Sequence, residues 1–146
     1  MNNLSEFYQT IKGFCEDHNM INQFMLLGSE RDIQGREFDY RTFVMIPSRS
    51  NISRDLARPI YTLTFDCAIL DKCKGEDALA SIKSTEENIF VAGQLQDFLI
   101  QEDENCYVED IDVENYISED TNVTSVYFQL TMSFARKNYN AGIDNA

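Results

Sequence analysis

Three acidic residues, Asp110, Asp112 and Glu114, alternate along the chain and come nearest to the spacing of a chemical site. Alternate residues of a strand share one face, so their carboxylates would lie together as ligands for a hard cation such as Ca²⁺. An EF-hand loop also needs a glycine at its sixth position and a glutamate at its twelfth, and neither is present. We therefore expect a solvated acidic sheet edge, which keeps a sheet from pairing with other chains.

The single histidine, His18, is the candidate general base. It follows the predicted first helix, and no serine or cysteine nucleophile motif lies near it. The cysteines form no C-x-x-C pair, so they and one histidine do not make a recognisable zinc ligand set. With no secretory signal visible, we expect free thiols in a reducing cytosol. These cysteines are Cys15, Cys67, Cys73 and Cys106.

The sequence also does not support a nucleotide-binding site or a hydrolase with paired carboxylates. The six glycines are scattered, and none forms a phosphate loop or a G-x-G-x-x-G motif. A hydrolase with paired carboxylates needs an acid whose pKa is raised by an apolar pocket. Asp66 is the one acid within a predicted apolar strand, and one acid is not a pair. We therefore expect no catalytic residue, no cofactor and no metal, and a protein that is not an enzyme.

Length and charge limit the possible classes further. A chain of 146 residues with 43% hydrophobic residues is long enough for one domain with its own core. We expect that domain at residues 1–136, followed by a flexible tail or arm at residues 137–146. The net charge is −13, and residues 76–146 hold three basic against fifteen acidic residues. Such a charge repels nucleic acid and argues against a sequence-reading DNA-binding protein.

Periodicity predicts two helices and five strands. A helix over residues 4–18 is predicted from the helical spacing of Leu4, Phe7, Tyr8, Ile11, Phe14 and Cys15. A second helix is predicted at 76–100. The strands are predicted at residues 21–27, 38–46, 60–70, 108–117 and 124–134, the second ended by Pro47. In the last strand, one row is expected to face the core: Thr124, Val126, Phe128, Leu130, Met132 and Phe134.

The long second helix is apolar over more than one stripe. One stripe contains Ile82, Thr85, Ile89, Ala92, Leu95 and Leu99, and another contains Val91, Leu95 and Phe98. This face is wider than that of an ordinary surface helix, so Val91 and Phe98 are expected to contact another chain. The alternative is that the whole face packs against its own sheet. The fold class is predicted as α+β, a single domain with a mainly antiparallel sheet packed against two helices, in the order α-β-β-β-α-β-β.

This order resembles the tail-terminator and tail-completion proteins of tailed bacteriophages, including neck and tail proteins of crAss-like phages. The resemblance rests on residues 43–47, on 60–65 leading through 69–72 into a helix with 94–99, and on the late strand at 126–130. It implies a structural virion subunit, a head-to-tail connector or tail terminator. Such a subunit is assembled in the host cytoplasm and forms a ring of six or twelve copies with neighbouring neck, portal or tail proteins. DNA would pass through the ring without sequence-specific binding, and no membrane is involved.

Two segments of unlike charge are the expected ring interface. The polar connection 47–59 is longer than a usual hairpin loop and carries Arg49, Arg54 and Arg58. The acidic segment 102–120 includes Glu109, Asp110, Asp112 and Glu114. A ring places unlike surfaces of neighbouring subunits together, and arginine binds carboxylates bidentately. We expect the arginines to pair with carboxylates of an adjacent subunit, beside apolar contacts from Val91 and Phe98.

The alternative function is an acidic DNA mimic or adaptor that binds a host protein. A mimic should spread its acidic residues over an elongated face. Here residues 1–75 hold nine basic and ten acidic residues, which is nearly balanced. Self-association distinguishes the two hypotheses, because only the ring subunit requires it.

Overall fold

A computed structural model describes residues 3–33, 37–52, 60–73, 78–102, 107–108, 111–118 and 122–135. The described residues form two α-helices, one 3-10 helix and six strands. In chain order these are α1 (Leu4–Asp17), β1 (Gln23–Leu26), the 3-10 helix (Glu30–Ile33), β2 (Thr42–Ile52), β3 (Ile60–Lys72), α2 (Ala78–Glu102), β4 (Tyr107–Val108), β5 (Glu114–Ser118) and β6 (Val123–Ala135). The predicted α+β fold class is confirmed.

The sheet has the strand order β1-β2-β3-β6-β4, and β5 also pairs with β6. β1 runs parallel to β2, whereas the other pairs are antiparallel. β3 and β6 pair along their whole length, from Ile60 opposite Ala135 to Lys72 opposite Val123. These two central strands form the frame on which both helices pack.

Both helices cover one face of the sheet. Asn3 caps α1, because its side-chain oxygen accepts a hydrogen bond from the backbone N–H of Glu6 at 2.9 Å. Helical spacing then turns one row of apolar residues toward the sheet, as predicted except for Leu4, which is exposed. The buried residues from the helices are Phe7, Ile11, Cys15, Val91, Ala92, Leu95 and Leu99, and those from the strands include Phe43, Phe65, Cys67, Ile69 and the inner row of β6.

The predicted inner row of the last strand is confirmed. All six residues of the inner row of β6 are at least 96% buried, and Val126, Leu130 and Met132 are completely buried. The ring of Phe128 lies edge-on to that of Phe43, with centroids 5.9 Å apart. Strict alternation of apolar and polar residues identified this strand because only one of its faces meets the helices.

A second apolar cluster lies on the opposite face of the sheet, which the sequence left as solvated or shared. Its buried members are Leu27, Val44, Ile46, Ala68 and Leu70. The segment around the 3-10 helix packs over it with Ile33, Phe38 and Tyr40. β2 and β3 are therefore apolar on both faces at this end, which accounts for their nearly continuous hydrophobic sequence.

The prediction that Pro47 ends the second strand is wrong. β2 continues to Ile52, with a register shift between Pro47 and Arg49 opposite β3. β1 pairs only with Thr42–Met45, so β2 is an edge strand from there onward among the described residues. An edge strand tolerates proline because no neighbour requires its missing N–H.

The predicted strand at 108–117 is also wrong in extent. The structure has two short strands there, β4 and β5, with Ile111–Val113 outside either strand. Asp112 and Glu114 are exposed, and only Glu114 lies on a strand. Glu109 and Asp110 lie outside the described residues, as does the predicted tail at 137–146.

Candidate assembly surface

A buried polar cluster fixes the orientation of α2. Arg41, only 6% exposed, donates from Nε to Oδ1 of Asn88 at 2.7 Å. Its terminal nitrogen lies 2.8 Å from carboxylate oxygens of both Asp71 and Glu87. The hydroxyl of Ser84 donates to the same oxygen of Asp71 at 2.8 Å. The cluster thus joins the start of β2 and the end of β3 to the first half of α2.

This cluster turns the apolar side chains of the first half of α2 outward. Ser84 and Asn88 face the sheet and also reach Thr124 of β6 through hydrogen bonds. In a helix, residues that lie about half a turn from such positions must face away from the sheet. The alternative that the whole apolar face packs against its own sheet is therefore wrong, because Ile82 and Ile89 are exposed, whereas Ala92, Leu95 and Leu99 are buried.

The outward face of α2 carries five exposed apolar side chains over about 30 Å of helix. They are Leu79 (73% exposed), Ile82 (61%), Ile89 (40%), Phe90 (56%) and Ile100 (58%). Lys83, Glu86, Gly93, Gln96 and Asp97 lie between them on the same side of the helix. We call all of these residues together the outer face of α2. Scattered apolar residues are normal on a surface, but a contiguous apolar patch commonly marks an interaction site.

Gly93 lies in the middle of the outer face. It is exposed, and apart from the adjacent residues and the backbone of the same helix, no described atom lies within 4 Å of the position that a Cβ would occupy. A glycine inside a helix costs about 0.5–1 kcal/mol relative to alanine. The folded chain itself gives no packing reason for glycine here.

Few charges lie on the outer face. Lys83, Glu86 and Asp97 are exposed along it, and neither Lys83 nor Asp97 forms an ion pair with a residue that the structure describes. The face therefore carries a formal charge of about −1, whereas the whole chain carries −13. Another negatively charged surface is repelled less here than elsewhere on this protein.

The far part of β2 is a second exposed region. Pro47 to Ile52 are all exposed, and Ile52 retains 56% of its accessible surface. Arg49 lies here, opposite Thr64 of β3, and forms no ion pair within the part of the chain that the structure describes. Arg54 and Arg58 lie outside the described residues.

The apolar residues predicted for the interface need correction. Val91 is completely buried in the core of its own chain, so it has no surface for a second chain. Phe98 is half-buried, and its ring packs 5.3 Å from that of Phe14 on α1. The neighbouring residues Ile89 and Phe90, rather than Val91, are the exposed apolar residues of this part of α2. The sequence of α2 alone does not show this rotation, because Ser84 and Asn88 face inward through hydrogen bonds to Asp71 and Arg41, which are remote in sequence.

The groups considered for chemistry have structural contacts. The Nδ1 of His18 accepts a hydrogen bond from the N–H of Met20, so Nε2 carries the hydrogen toward the side-chain oxygen of Gln94. Asp66 is half-buried and accepts a hydrogen bond from Gln129 at 3.0 Å. Among the described residues, no group of three or more His, Cys, Asp or Glu side chains is placed to hold a metal ion.

The thiols of the described residues are buried, and Cys106 lies outside the described residues. Cys15 and Cys67 lie in the core, and both are free, as is Cys73. Burial, followed by the charge of Glu16, raises the pKa of Cys15 to about 12. Burial is also the main cause that raises the pKa of Cys67 well above its ordinary value. Such thiols stay protonated near neutral pH and are poor nucleophiles.

No protein family matches the sequence, and no curated protein is significantly similar to it. None of the described helices is long and apolar enough to cross a membrane.

Proposed function

We propose that this chain is a non-enzymatic structural subunit that assembles with copies of itself into a ring in the neck or at the top of the tail of a tailed bacteriophage. The observation that supports self-assembly is the outer face of α2. The core beneath α2 is already filled by Val91, Ala92, Leu95 and Leu99, so the exposed apolar side chains are not needed for folding. Their burial in an assembly would stabilise it by about 25 cal/mol per Å² of apolar surface.

Two further features support the phage role. The order of helices and strands resembles that of tail-terminator and tail-completion proteins. The net charge of −13 suits a subunit around a DNA channel, because a negative wall does not bind phosphate groups. In this proposal DNA slides through the ring without base-specific contacts.

Closure of a ring requires two unlike surfaces on each subunit. The far part of β2, with Arg49 and the exposed Ile52, supplies one of them. It offers a cation and an apolar side chain to a negatively charged neighbour. Exposed ion pairs contribute only about 0–1 kcal/mol each, so the arginine would mainly determine which surface is recognised.

The experiment that tests the proposal is the oligomeric state of the purified chain, with and without its neighbouring virion proteins. Native mass spectrometry and negative-stain electron microscopy should show closed assemblies of six or twelve copies. Replacement of Phe90 or Ile82 by Glu should shift the population to smaller species. The thermal midpoint of unfolding should change little, because both side chains are exposed.

The matched control is Leu4→Glu. Leu4 is 44% exposed on α1, so this variant adds the same charge and removes a similarly exposed apolar side chain away from α2. It should assemble as the unmodified chain does. A chain that remains monomeric at every concentration, alone and with the neighbouring virion proteins, would refute the proposed function.

A further inference from the structure

The outer face of α2 has a pattern that is complementary to itself. Seven positions on this face are spaced alternately three and four residues apart. They are Leu79, Ile82, Glu86, Ile89, Gly93, Gln96 and Ile100. This is the spacing of the seam at which two helices pack as a coiled coil. Lys83, Phe90 and Asp97 flank the seam at intervals of seven residues, on the side turned away from the sheet.

The flanking residues are arranged symmetrically in charge about Phe90. Lys83 lies two helical turns before Phe90, and Asp97 lies two turns after it. If a second α2 runs antiparallel across the seam, Lys83 of each copy meets Asp97 of the other, and the two Phe90 rings meet at the centre. Charges that flank such a seam determine the orientation of the helices.

A parallel arrangement is disfavoured by the same residues. It would place the two Glu86 side chains against each other within the seam. In the antiparallel arrangement Glu86 instead lies beside the Gly93 and Gln96 of the second copy. The missing side chain of Gly93 leaves room there, and its Cβ position is open on this chain.

We propose that the outer face of α2 packs against the same face of a second copy, with the two helices antiparallel about a two-fold axis beside Phe90. This inference rests on the proposed self-assembly and names the contact. A two-fold contact joins copies in pairs and does not close a ring. It therefore favours twelve copies, arranged as two rings of six joined face to face, over one ring of six.

The strength of this contact sets the conditions for its detection. The exposed apolar side chains of one outer face present on the order of 500 Å², within the range of the largest patch on a typical monomer. Two copies would then bury on the order of 1,000 Å² in total, which is the range of weak, transient interfaces. The pair should therefore depend strongly on protein concentration unless other contacts of an assembly support it.

Cysteine cross-linking tests the geometry directly. In Phe90→Cys the two introduced thiols lie at the two-fold axis, so oxidation should join two chains through residue 90, as identified by mass spectrometry of the linked peptides. In Leu79→Cys the introduced thiols lie at opposite ends of the helix pair and should not join. Equal linkage of Leu79→Cys would show that the helices are parallel and would overturn the proposal.

A charge-reversal series provides an independent measurement. Lys83→Asp and Asp97→Lys each place like charges opposite each other at two symmetry-related sites. Each should raise the dissociation constant of the pair by about three- to tenfold in sedimentation velocity experiments. The double variant Lys83→Asp with Asp97→Lys restores opposite charges and should recover the original affinity. Loss of affinity in the double variant equal to the sum of the two single losses would contradict the antiparallel pairing.

The outcomes separate this inference from the proposed function. An unmodified chain that assembles, while Phe90→Cys does not cross-link and charge reversal has no effect, would refute the two-fold contact and leave the proposed function standing. A chain that is monomeric under all conditions would refute both. Cross-linking at residue 90 together with charge rescue supports the contact.

Discussion

Arg41, immediately before β2, donates a hydrogen bond from Nε to the side-chain oxygen of Asn88 in the middle of α2, at 2.7 Å. This bond connects residues that are far apart in the sequence and helps to hold the Asn88 side of α2 against the sheet, together with the buried apolar residues of the helix. Because Asn88 faces inward, Ile89 and Phe90 are exposed on the other side. The proposed assembly surface is thus a consequence of a buried polar cluster.

Removal of the Arg41 side chain should destabilise the fold strongly. In Arg41→Met, the carboxylates of Asp71 and Glu87 keep their charges but lose the guanidinium that lies 2.8 Å from both. Breaking a buried pair by removing one partner typically costs 3–5 kcal/mol. Asp71 and Glu87 are partly exposed to solvent, so we expect a loss near the lower limit, about 3 kcal/mol, in the free energy of unfolding measured with urea.

Lys12→Met is the control for the loss of an arginine or lysine charge. Lys12 pairs with Glu16 at 3.9 Å on the exposed side of α1. An exposed pair of this kind contributes about 0–1 kcal/mol, so the control should remain close to the unmodified chain. Equal effects of the two substitutions would mean that the Arg41 cluster does not hold α2.

Phe128 tests the register of the central strands. It is 4% exposed and lies opposite Cys67 in the pairing of β3 with β6. Phe128→Ala should lower the free energy of unfolding by about 3–5 kcal/mol, because it leaves a cavity in the core. Gln129→Ala, the next residue and on the other face, is exposed and should cost no more than its hydrogen bond to Asp66, about 0.5–1.5 kcal/mol. A loss below about 1 kcal/mol for Phe128→Ala would contradict the register.

These residues also show which features of the fold could be predicted from sequence patterns and which could not. The inner row of β6 and the inner face of α1 were predictable because each element meets the core on one side only. The rotation of α2 was not, because it depends on Arg41 and Asp71, which are remote in sequence from Ser84 and Asn88. The extension of β2 past Pro47 was missed because its edge position follows from the short length of β1. A local pattern contains neither kind of information.

The same limit applies to the assembly surface. An apolar residue in a helix pattern is normally assigned to the core, so Val91 and Ile89 were not distinguishable by type. Val91 is completely buried, whereas Ile89 is 40% exposed. The described part of the arginine-bearing segment, residues 47–52, is exposed, as expected for a polar segment. That it continues a strand could be learned only from its pairing with β3.

The buried thiols predict a dependence of stability on alkaline pH. Cys15 has its pKa raised from 9.0 to about 12, first by burial and then by the charge of Glu16. The folded state therefore keeps a proton that the unfolded state loses. The contribution of the Cys15 thiol to the free energy of unfolding is complete below pH 9.0 and declines as the pH rises toward about 12. Cys15→Ala should show a shallower decline over this range in urea unfolding, and an identical slope would contradict this assignment.

Thiol labelling gives a second measurement of the same burial. In the folded chain, Cys15 and Cys67 should not react with a thiol reagent such as 5,5′-dithiobis(2-nitrobenzoic acid) at mildly alkaline pH, because both are at most 2% exposed. Both should react after unfolding in urea. Rapid labelling of either residue in the folded chain, identified by peptide mass spectrometry, would show that the helices do not cover the sheet as described.

The final prediction concerns the far part of β2 as the surface that closes the ring. Arg49 is exposed and forms no ion pair with the described residues, so Arg49→Glu should not disturb the fold. Reversal of its charge would place a carboxylate against the negatively charged neighbouring subunit. We expect fewer closed assemblies by native mass spectrometry and less incorporation into virions. Reversal of Arg54 and Arg58 as well should block ring assembly, while the thermal midpoint of the monomer stays nearly unchanged.

Arg31→Glu is the charge-matched control, because it makes the same charge change at an exposed arginine of the 3-10 helix, outside β2. If Arg31→Glu reduces assembly as much as Arg49→Glu does, the effect comes from net charge and not from a specific contact. Normal assembly of the triple variant would mean that the arginines lie in solvent in the finished ring. In that case the proposed contact at β2 would be wrong, whereas the outer face of α2 would remain a separate test of self-assembly. Added salt distinguishes the contact at β2 from the contact at the outer face of α2, because screening weakens an ion pair and leaves the burial of apolar side chains largely unaffected.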